Sequence, residues 1–232
     1  MQPVSETYRA LRAAGAPKEY QAIIAGITYT AQQIVSAFSA SAVEAQPATI
    51  GNCVAKRLNL VLRNPGDIPR MAQIKMRYRL NNGIAQSEWM PKGTFFIDTR
   101  DSSIDGVLSI VAYDAMLKCD QPFTSSGDQG QWPRLDIDVI NEICSRIGVT
   151  LDPRTSAILI RQYKIPYPGF GEGALNMREV LGAIGAMYAG NWIVSDQDTL
   201  RLVVLGDIPP ETNYLITENH DYILIGGYRI LV

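Results

Sequence analysis

Histidine and cysteine are scarce in this sequence, and that scarcity limits the chemistry the chain can perform. Its 232 residues contain one histidine, His220, and three widely spaced cysteines, Cys53, Cys119 and Cys144. An odd number of cysteines without a CxxC pair predicts neither a disulfide framework nor a zinc site. A histidine-dependent nucleophilic site would have to use His220, which lies in a polar segment. We therefore predict no catalytic residue, no metal and no cofactor, and we interpret the chain as a non-enzyme.

Excess charge and long apolar runs are missing as well. The chain carries 21 basic and 23 acidic residues, a formal net charge of −2. A strong sequence-independent nucleic-acid binder is usually clearly basic, so this balance argues against one. No apolar run approaches the roughly 20 residues that span a bilayer, which predicts no membrane insertion. Glu6, Arg9 and Arg12 interrupt the N-terminus where a signal peptide would be apolar, so we expect the chain to stay in the cytoplasm where it is made.

The most regular pattern present is an alternation of apolar and polar residues between positions 73 and 80, which predicts a half-buried antiparallel strand. Asn82-Gly83 follows and can supply the positive φ angles of a tight hairpin, so we predict a return strand over residues 84–89. Further short strands are predicted around Leu60 and over residues 93–98 and 107–113. Short strands separated by turn residues are typical of a small barrel or sandwich.

The pattern after Cys119 mixes helices with strands. Residues 137–147 carry a helical apolar stripe with Asp136 as the expected N-cap, and residues 177–189 follow a capping box formed by Asn176 and Glu179.

Two glycines interrupt the second of these helices. Gly182 and Gly185 each disfavour a helix, so their presence predicts close packing against a neighbouring sheet. Residues 192–195 and 200–205 are the strands we expect to form that sheet.

These elements predict an α+β, mainly β fold in four parts. An N-terminal helical arm, with Ser5 as its N-cap, occupies residues 1–18. A β-barrel-like domain follows over residues 19–118, then an α/β domain over residues 119–210 and C-terminal strands over residues 211–232.

The order of these pieces resembles a known family. Residues 87–98 read S-E-W-M-P-K-G-T-F-F-I-D and resemble a W-x-P-x-G-x-F-x-I-D segment of tail hub proteins from long-tailed phages and prophages. Residues 110–117 resemble the strand end that follows it. Residues 138–144 with 148–149, and then residues 177–181, resemble the two helices of the same proteins. The match in order and spacing runs from about residue 50 to residue 205.

The resemblance implies a virion structural protein at the hub or tip of the tail, assembled in the bacterial host cytoplasm. Hubs of this kind form trimeric rings, join the tail tube or distal tail protein to the tip, and surround a channel. The implied partners are further copies of the chain, the distal tail or tail tube protein and the tape-measure protein, with DNA only as transient channel content. The family fold has a second barrel-like domain, which residues 211–232 would only begin, so we expect a reduced domain or a piece of a longer protein.

A basic segment is the candidate interface. Asp67 is the only acid between residues 56 and 79, where basic residues are frequent. This segment is either a solvated strand face or a contact surface for an acidic ring neighbour or channel contents. The candidate interface residues are Arg63, Lys75, Arg77, Arg79 and Trp89.

Two other interpretations remain open on the sequence. A tail-associated cell-wall hydrolase or peptidase would use His220 or a pair of carboxylates, and a receptor- or carbohydrate-binding β module would present surface aromatics. Asp101 and Asp105 lie in an acidic loop whose spacing favours a turn over a calcium site, and residues 169–173 favour a turn over a phosphate loop.

Overall fold

The computed structural model describes residues 4–40, 49–70, 72–123, 129–168 and 175–204, and the pairs 224–225 and 228–229. The helices are α1 (Glu6–Ala13), α2 (Asp136–Ile147), α3 (Pro153–Ser156) and α4 (Met177–Met187), with 3-10 helices at Ala115–Asp120 and Gln129–Gln131. The strands of the first sheet are β1 (Lys18–Ile24), β2 (Ile27–Tyr29), β3 (Ile34–Ala40), β4 (Arg57–Arg63), β5 (Gln73–Leu80), β6 (Met90–Asp101) and β7 (Val107–Tyr113). The later strands are β8 (Arg134–Leu135), β9 (Thr150–Leu151), β10 (Lys164–Ile165), β11 (Gly190–Val194), β12 (Thr199–Val204), β13 (Leu224–Ile225) and β14 (Tyr228–Arg229).

A curved seven-stranded antiparallel sheet dominates the molecule, in the order β2-β1-β5-β6-β7-β4-β3. The alternation along β5 puts Ile74 and Met76 against the interior and leaves Lys75 exposed, as its period predicts. Phe95, Leu58 and Leu60 contribute fully buried side chains to the same core. The mainly β, α+β fold class expected from the sequence is confirmed.

The two edge strands of this sheet, β2 and β3, are consecutive in the chain, so the sheet must curl to bring its edges together. Within the described ranges, β2 pairs only with residues 22–24 of β1, and the chain then crosses to pair with β4 as β3. At the closed end, the Tyr29 hydroxyl donates a 2.8 Å hydrogen bond to the Pro65 carbonyl. At the other end, residues 18–21 of β1 and residues 35–40 of β3 have no strand partner on their free sides among the described residues, and side chains from both stretches line one cavity. We name this gap the open seam.

A second core lies beneath a three-stranded sheet in the order β11-β12-β9. Trp192 is fully buried there, and its indole N–H donates a 2.7 Å hydrogen bond to the Leu181 carbonyl of α4. Asn176 caps α4 in the predicted capping box with Glu179. Segment 49–56 joins this core through Cys53, so the second core draws on residues from both predicted domains. The domain boundaries themselves stay predictions.

Two local predictions are wrong. Residues 84–89 do not form the return strand, because Ile84 is 95% exposed and the partner of β5 is the longer β6. A bulge near Gly93 shifts the register between β5 and β6. Because of this shift the alternation along β6 does not continue that of β5, and the pairing cannot be read from the sequence pattern. Asp136 is not the N-cap of α2: Leu135 holds that position, and the buried Asp136 carboxylate accepts a 2.6 Å hydrogen bond from the Tyr188 hydroxyl.

Candidate assembly surfaces

The outer face of β1 and β5 carries an ordered stack of one indole and two guanidinium groups. Both guanidinium groups lie over the Trp89 ring, with the Arg77 guanidinium carbon 4.8 Å and the Arg79 carbon 4.6 Å from its centroid. Both distances fall within the range of cation–π attraction. Arg77 and Arg79 share one face because they are two residues apart on a strand, and the connection from β5 to β6 returns Trp89 over them. We name this arrangement the arginine–tryptophan face.

Residues on β1 hold both guanidinium groups in place. Arg79 Nε donates a 2.7 Å hydrogen bond to Glu19, which lies directly opposite in the strand register. That hydrogen bond is the main reason why the pKa of Glu19 is lowered from its usual value. Arg77 donates twice to the Gln21 side-chain oxygen, at 3.0 and 2.8 Å. Since Gln21 is neutral, the Arg77 charge is not compensated by its strand partner, and the face keeps a positive character.

The structure brings three of the five candidate interface residues into contact, places Lys75 on the same strand face beside them, and separates Arg63 from them. Lys75 is exposed on the same face of β5, opposite Ile23, so it extends the basic surface along the strand. Arg63 lies at the end of β4, which β6 and β7 separate from β5 in the sheet. Arg63 therefore belongs to a different part of the surface, a separation that the sequence alone does not reveal.

The open seam contains a cavity of about 250 Å³. Its apolar floor comes from buried side chains of the sheet interior, including Leu58, Met76 and Phe95. Lys18 and Tyr20 line the β1 side, and Ala37, Phe38 and Ser39 line the β3 side. Phe38 is 59% exposed, an unusual position for a phenylalanine beside an apolar cavity.

Basic side chains surround the inner mouth of the seam. Lys92 also lines the cavity, and its Nζ lies 3.0 Å from Asp196 of the turn between β11 and β12. Lys56 pairs with the other oxygen of the same carboxylate at 2.6 Å. The Lys18 ammonium lies 5.5 Å from the Tyr78 ring centroid, and no carboxylate in the described part of the chain pairs with it. Lysines therefore outnumber the acids that neutralise them here.

The ionisable groups buried in the described residues serve the fold. Asp114 accepts backbone hydrogen bonds from Lys56 and Met116, each at 3.0 Å, and burial raises its pKa to about 6. Burial also raises the pKa of the Cys53 and Cys119 thiols to about 12, which keeps them protonated and unreactive. Neither the aspartate nor the thiols line the cavity of the seam.

Three further sequence features were weighed as sites: His220, residues 169–173 and the acidic loop with Asp101 and Asp105. His220 and residues 169–173 lie outside the described residues. Asp101 accepts hydrogen bonds from the backbone and hydroxyl of Ser103, which is turn chemistry. Over the ranges that are described, no group of three or more histidine, cysteine or acidic side chains is placed to hold a metal ion. None of the helices described is long and apolar enough to cross a membrane.

Two parts of these surfaces were not predicted from the sequence. The sequence does not predict that Glu19 and Gln21 bind the two arginines, because these contacts depend on the register of β1 against β5. The open seam depends on β2 and β3 pairing with different strands, which local periodicity does not encode.

Comparison with known proteins supports the fold. No protein-family model and no curated protein matches the chain. Among solved structures, the fold is similar to that of the 43 kDa tail protein of prophage MuSo2 from Shewanella oneidensis, with a TM-score of 0.52 and 12% identity over 85% of this chain and 59% of that protein. A tail protein from Neisseria meningitidis MC58 gives a TM-score of 0.50 and 10% identity over 80% of this chain and 50% of that protein. The chain thus spans less than two thirds of the length of either protein.

Proposed function

We propose that this chain is a structural subunit of the tail of a long-tailed phage, located at the hub or tip. The observation that carries the proposal is the fold it shares, over at least four fifths of its length, with a prophage tail protein and with a second tail protein. The order of sequence motifs between residues 50 and 205, which resembles tail hub proteins, supports the same role independently. In this role the chain joins the tail tube or distal tail protein to the tip and is part of the virion after assembly in the host cytoplasm.

The arginine–tryptophan face is the surface we assign to contacts between subunits. Trp89 is partly buried by two guanidinium groups, so it presents a rigid aromatic surface beside positive charge. Tryptophan and arginine are the residue types that most often dominate binding energy in protein interfaces. Lys75 adds charge next to this surface, which favours an acidic neighbouring subunit.

The proposed assembly is a threefold ring of this chain around the tail channel. The distal tail or tail tube protein binds one side of the ring, and the tape-measure protein and then DNA pass through its centre. Such a ring is held by contacts between chains, and catalysis has no part in its function.

Mass measurement tests the assembly. The chain is mixed with the tail tube or distal tail protein of the same phage, and light scattering with electron microscopy follows complex formation. We expect threefold rings, and we expect Trp89→Ala to weaken their formation. Ile84→Ala is the matched control, because Ile84 is a large apolar residue on the same connection whose side chain is almost fully exposed. A chain that stays monomeric at all concentrations and binds neither protein contradicts the proposal.

A cell-wall assay tests the enzymatic rival. Wild type and His220→Ala are incubated with peptidoglycan, and the release of soluble fragments is measured. Release by wild type that the mutation abolishes would replace the structural role by a hydrolytic one.

A further inference from the structure

The open seam leaves backbone hydrogen-bonding groups of two strands without partners in the described residues. Along a strand, successive residues direct their N–H and C=O groups to opposite sides, so about half of those in residues 18–21 and 35–40 point into the gap. No backbone hydrogen bond in the described ranges reaches them from the seam side. Unpaired strand edges of this kind form a template for an additional strand.

The β3 edge lacks the protection that exposed edges normally carry. Proteins block such edges with charged residues, proline or short strand length. Ile34–Ala40 reads I-V-S-A-F-S-A, with no charge and no proline, and it pairs with β4 up to its last residue. The one irregularity lies at its start, between Ile34 and Ser36, and leaves residues 36–40 regular. An unprotected edge is expected where another segment covers it in the functional state.

The cavity in the seam has the size of a side-chain pocket. Its volume of about 250 Å³ is below the roughly 300–1,000 Å³ of typical small-molecule sites. Leu58, Met76 and Phe95 form its floor, which suits an apolar side chain that points inward from an added strand. Phe38 and Tyr20, which are 59% and 36% exposed, would lose solvent contact when such a strand is in place.

The charges at the seam determine which segment fits. Lys18 and Lys92 both line the cavity, whereas Asp196 is already shared between Lys92 and Lys56. A carboxylate on the inner side of the added strand can therefore pair with Lys18, and a basic side chain there would meet only like charge.

We propose that the open seam is a strand-acceptor site that binds an extended segment of a partner protein, with apolar side chains in the cavity and a carboxylate beside Lys18. The added strand bridges β1 and β3 and closes the barrel by β-augmentation. The inference goes beyond the proposed tail role and does not depend on it.

A synthetic peptide provides the probe. It has about eight residues, within the range of roughly 3–10 residues that strands have, with serine alternating with valine and the two outermost valines replaced by glutamate. A second peptide carries lysine in place of glutamate, and a third has proline at its centre. Binding is measured by fluorescence anisotropy, and amide hydrogen exchange of the full chain locates it. We expect saturable binding of the glutamate peptide alone, with new protection of amides within residues 18–21 and 35–40.

Protein variants separate the seam from other surfaces. Ala37→Phe and Ser39→Trp fill the cavity, and each should weaken binding roughly tenfold. Ser36→Trp is the control for bulk on the same strand, because Ser36 does not line the cavity. Lys18→Met should weaken binding roughly threefold, while Lys164→Met, an exposed lysine on β10, should leave it unchanged.

Several results would overturn the proposal. These are absence of saturable binding, equal binding of the glutamate and lysine peptides, unchanged binding of the proline peptide, or full affinity in both cavity-filling variants. Should one of those variants not fold, the other, together with Lys18→Met, still decides. If the seam amides become protected when the protein concentration rises without peptide, the occupant is a second copy of the chain and the assignment to a partner protein is wrong.

Discussion

Asp198 accepts two hydrogen bonds from Thr94, one from its backbone amide and one from its hydroxyl, both at 2.7 Å. Asp198 lies in the turn between β11 and β12, whereas Thr94 lies in β6 of the curved sheet. The neighbouring Asp196 pairs with Lys56 and Lys92. One short turn thus connects the α/β part to the sheet and at the same time sets the charge at the mouth of the open seam.

The first prediction concerns this connection. Asp198 has a φ of +57°, and asparagine tolerates that conformation nearly as well as aspartate, so Asp198→Asn changes the carboxylate with little backbone cost. The lost acceptor should lower the free energy of unfolding by about 1–2 kcal/mol in urea denaturation. Asp105→Asn, at an exposed turn carboxylate, is the control and should change stability by less than about 0.5 kcal/mol.

A double-mutant cycle with Thr94→Val makes this test specific. The two changes should be less than additive, because both act on the same hydrogen bond, the one from the Thr94 hydroxyl to the Asp198 carboxylate. Strict additivity would show that the two residues do not stabilise each other.

The second prediction concerns Arg178, which connects α4 to two other segments, 49–56 and the 3-10 helix Ala115–Asp120. Its guanidinium donates to the Cys53 carbonyl, to the Met116 carbonyl at 2.9 Å and to Asp120 at 2.6 Å. Lysine has one ammonium and cannot reproduce this forked geometry. Arg178→Lys should therefore lower the free energy of unfolding by about 2–3 kcal/mol, whereas Arg9→Lys on the exposed face of α1 should leave it unchanged. Equal midpoints of thermal unfolding for the two variants would contradict this role.

The third prediction is a pH dependence that arises from Asp114. Its side chain is 2% exposed, and burial raises its pKa to about 6, although hydrogen bonds from Lys56 and Met116 partly offset this effect. The pKa of Asp114 is thus higher in the folded state than the value of about 3.9 in the unfolded state. Between about pH 4 and pH 6 the carboxyl group is therefore protonated in the folded state and ionised in the unfolded state. The contribution of this proton to stability is complete below about pH 4 and is lost as the pH rises through about 6.

Urea denaturation of wild type and Asp114→Asn across this pH range provides the measurement. The stability of wild type relative to the variant should fall by about 2–3 kcal/mol between pH 4 and pH 7 and then stay constant. Taking the difference between the two proteins cancels the titration of the other groups. A difference that rises with pH would show that the hydrogen bonds to the carboxylate outweigh its burial.

Local patterns predicted the parts of the fold that depend on local interactions. The strand over residues 73–80 and the Asn176–Glu179 capping box follow from period and spacing alone, and both are confirmed. Asp136 was misassigned as a cap because its partner, Tyr188, is far away in the chain. The arginine–tryptophan face was half predicted: its three residues were named, but the strand register that fixes them could not be derived. The open seam was not predicted, because the crossing from β2 to β3 is decided by long-range pairing.

The last prediction concerns the glycines of α4, which were expected to pack closely against a sheet. Gly185 does so, since a Cβ atom there would lie 3.0 Å from the Gly190 carbonyl oxygen of β11. Gly182 instead contacts segment 49–56, where a Cβ atom would lie only 2.7 Å from the Gly51 carbonyl oxygen. Alanine at position 182 would gain about 1 kcal/mol of helix propensity, but it would force the two backbones apart.

We expect Gly182→Ala to lower the free energy of unfolding by about 1–3 kcal/mol, as measured in urea, because the strain exceeds the gain in propensity. Gly130→Ala is the matched control: no atom lies within 4 Å of its Cβ position, and stability should be unchanged or slightly higher. Crystal structures of both variants would locate the displacement in segment 49–56. If Gly182→Ala and Gly130→Ala have the same free energy of unfolding, the prediction is wrong. Segment 49–56 would then move away from α4 without loss of stability, and its close contact with Gly182 would not stabilise the second core.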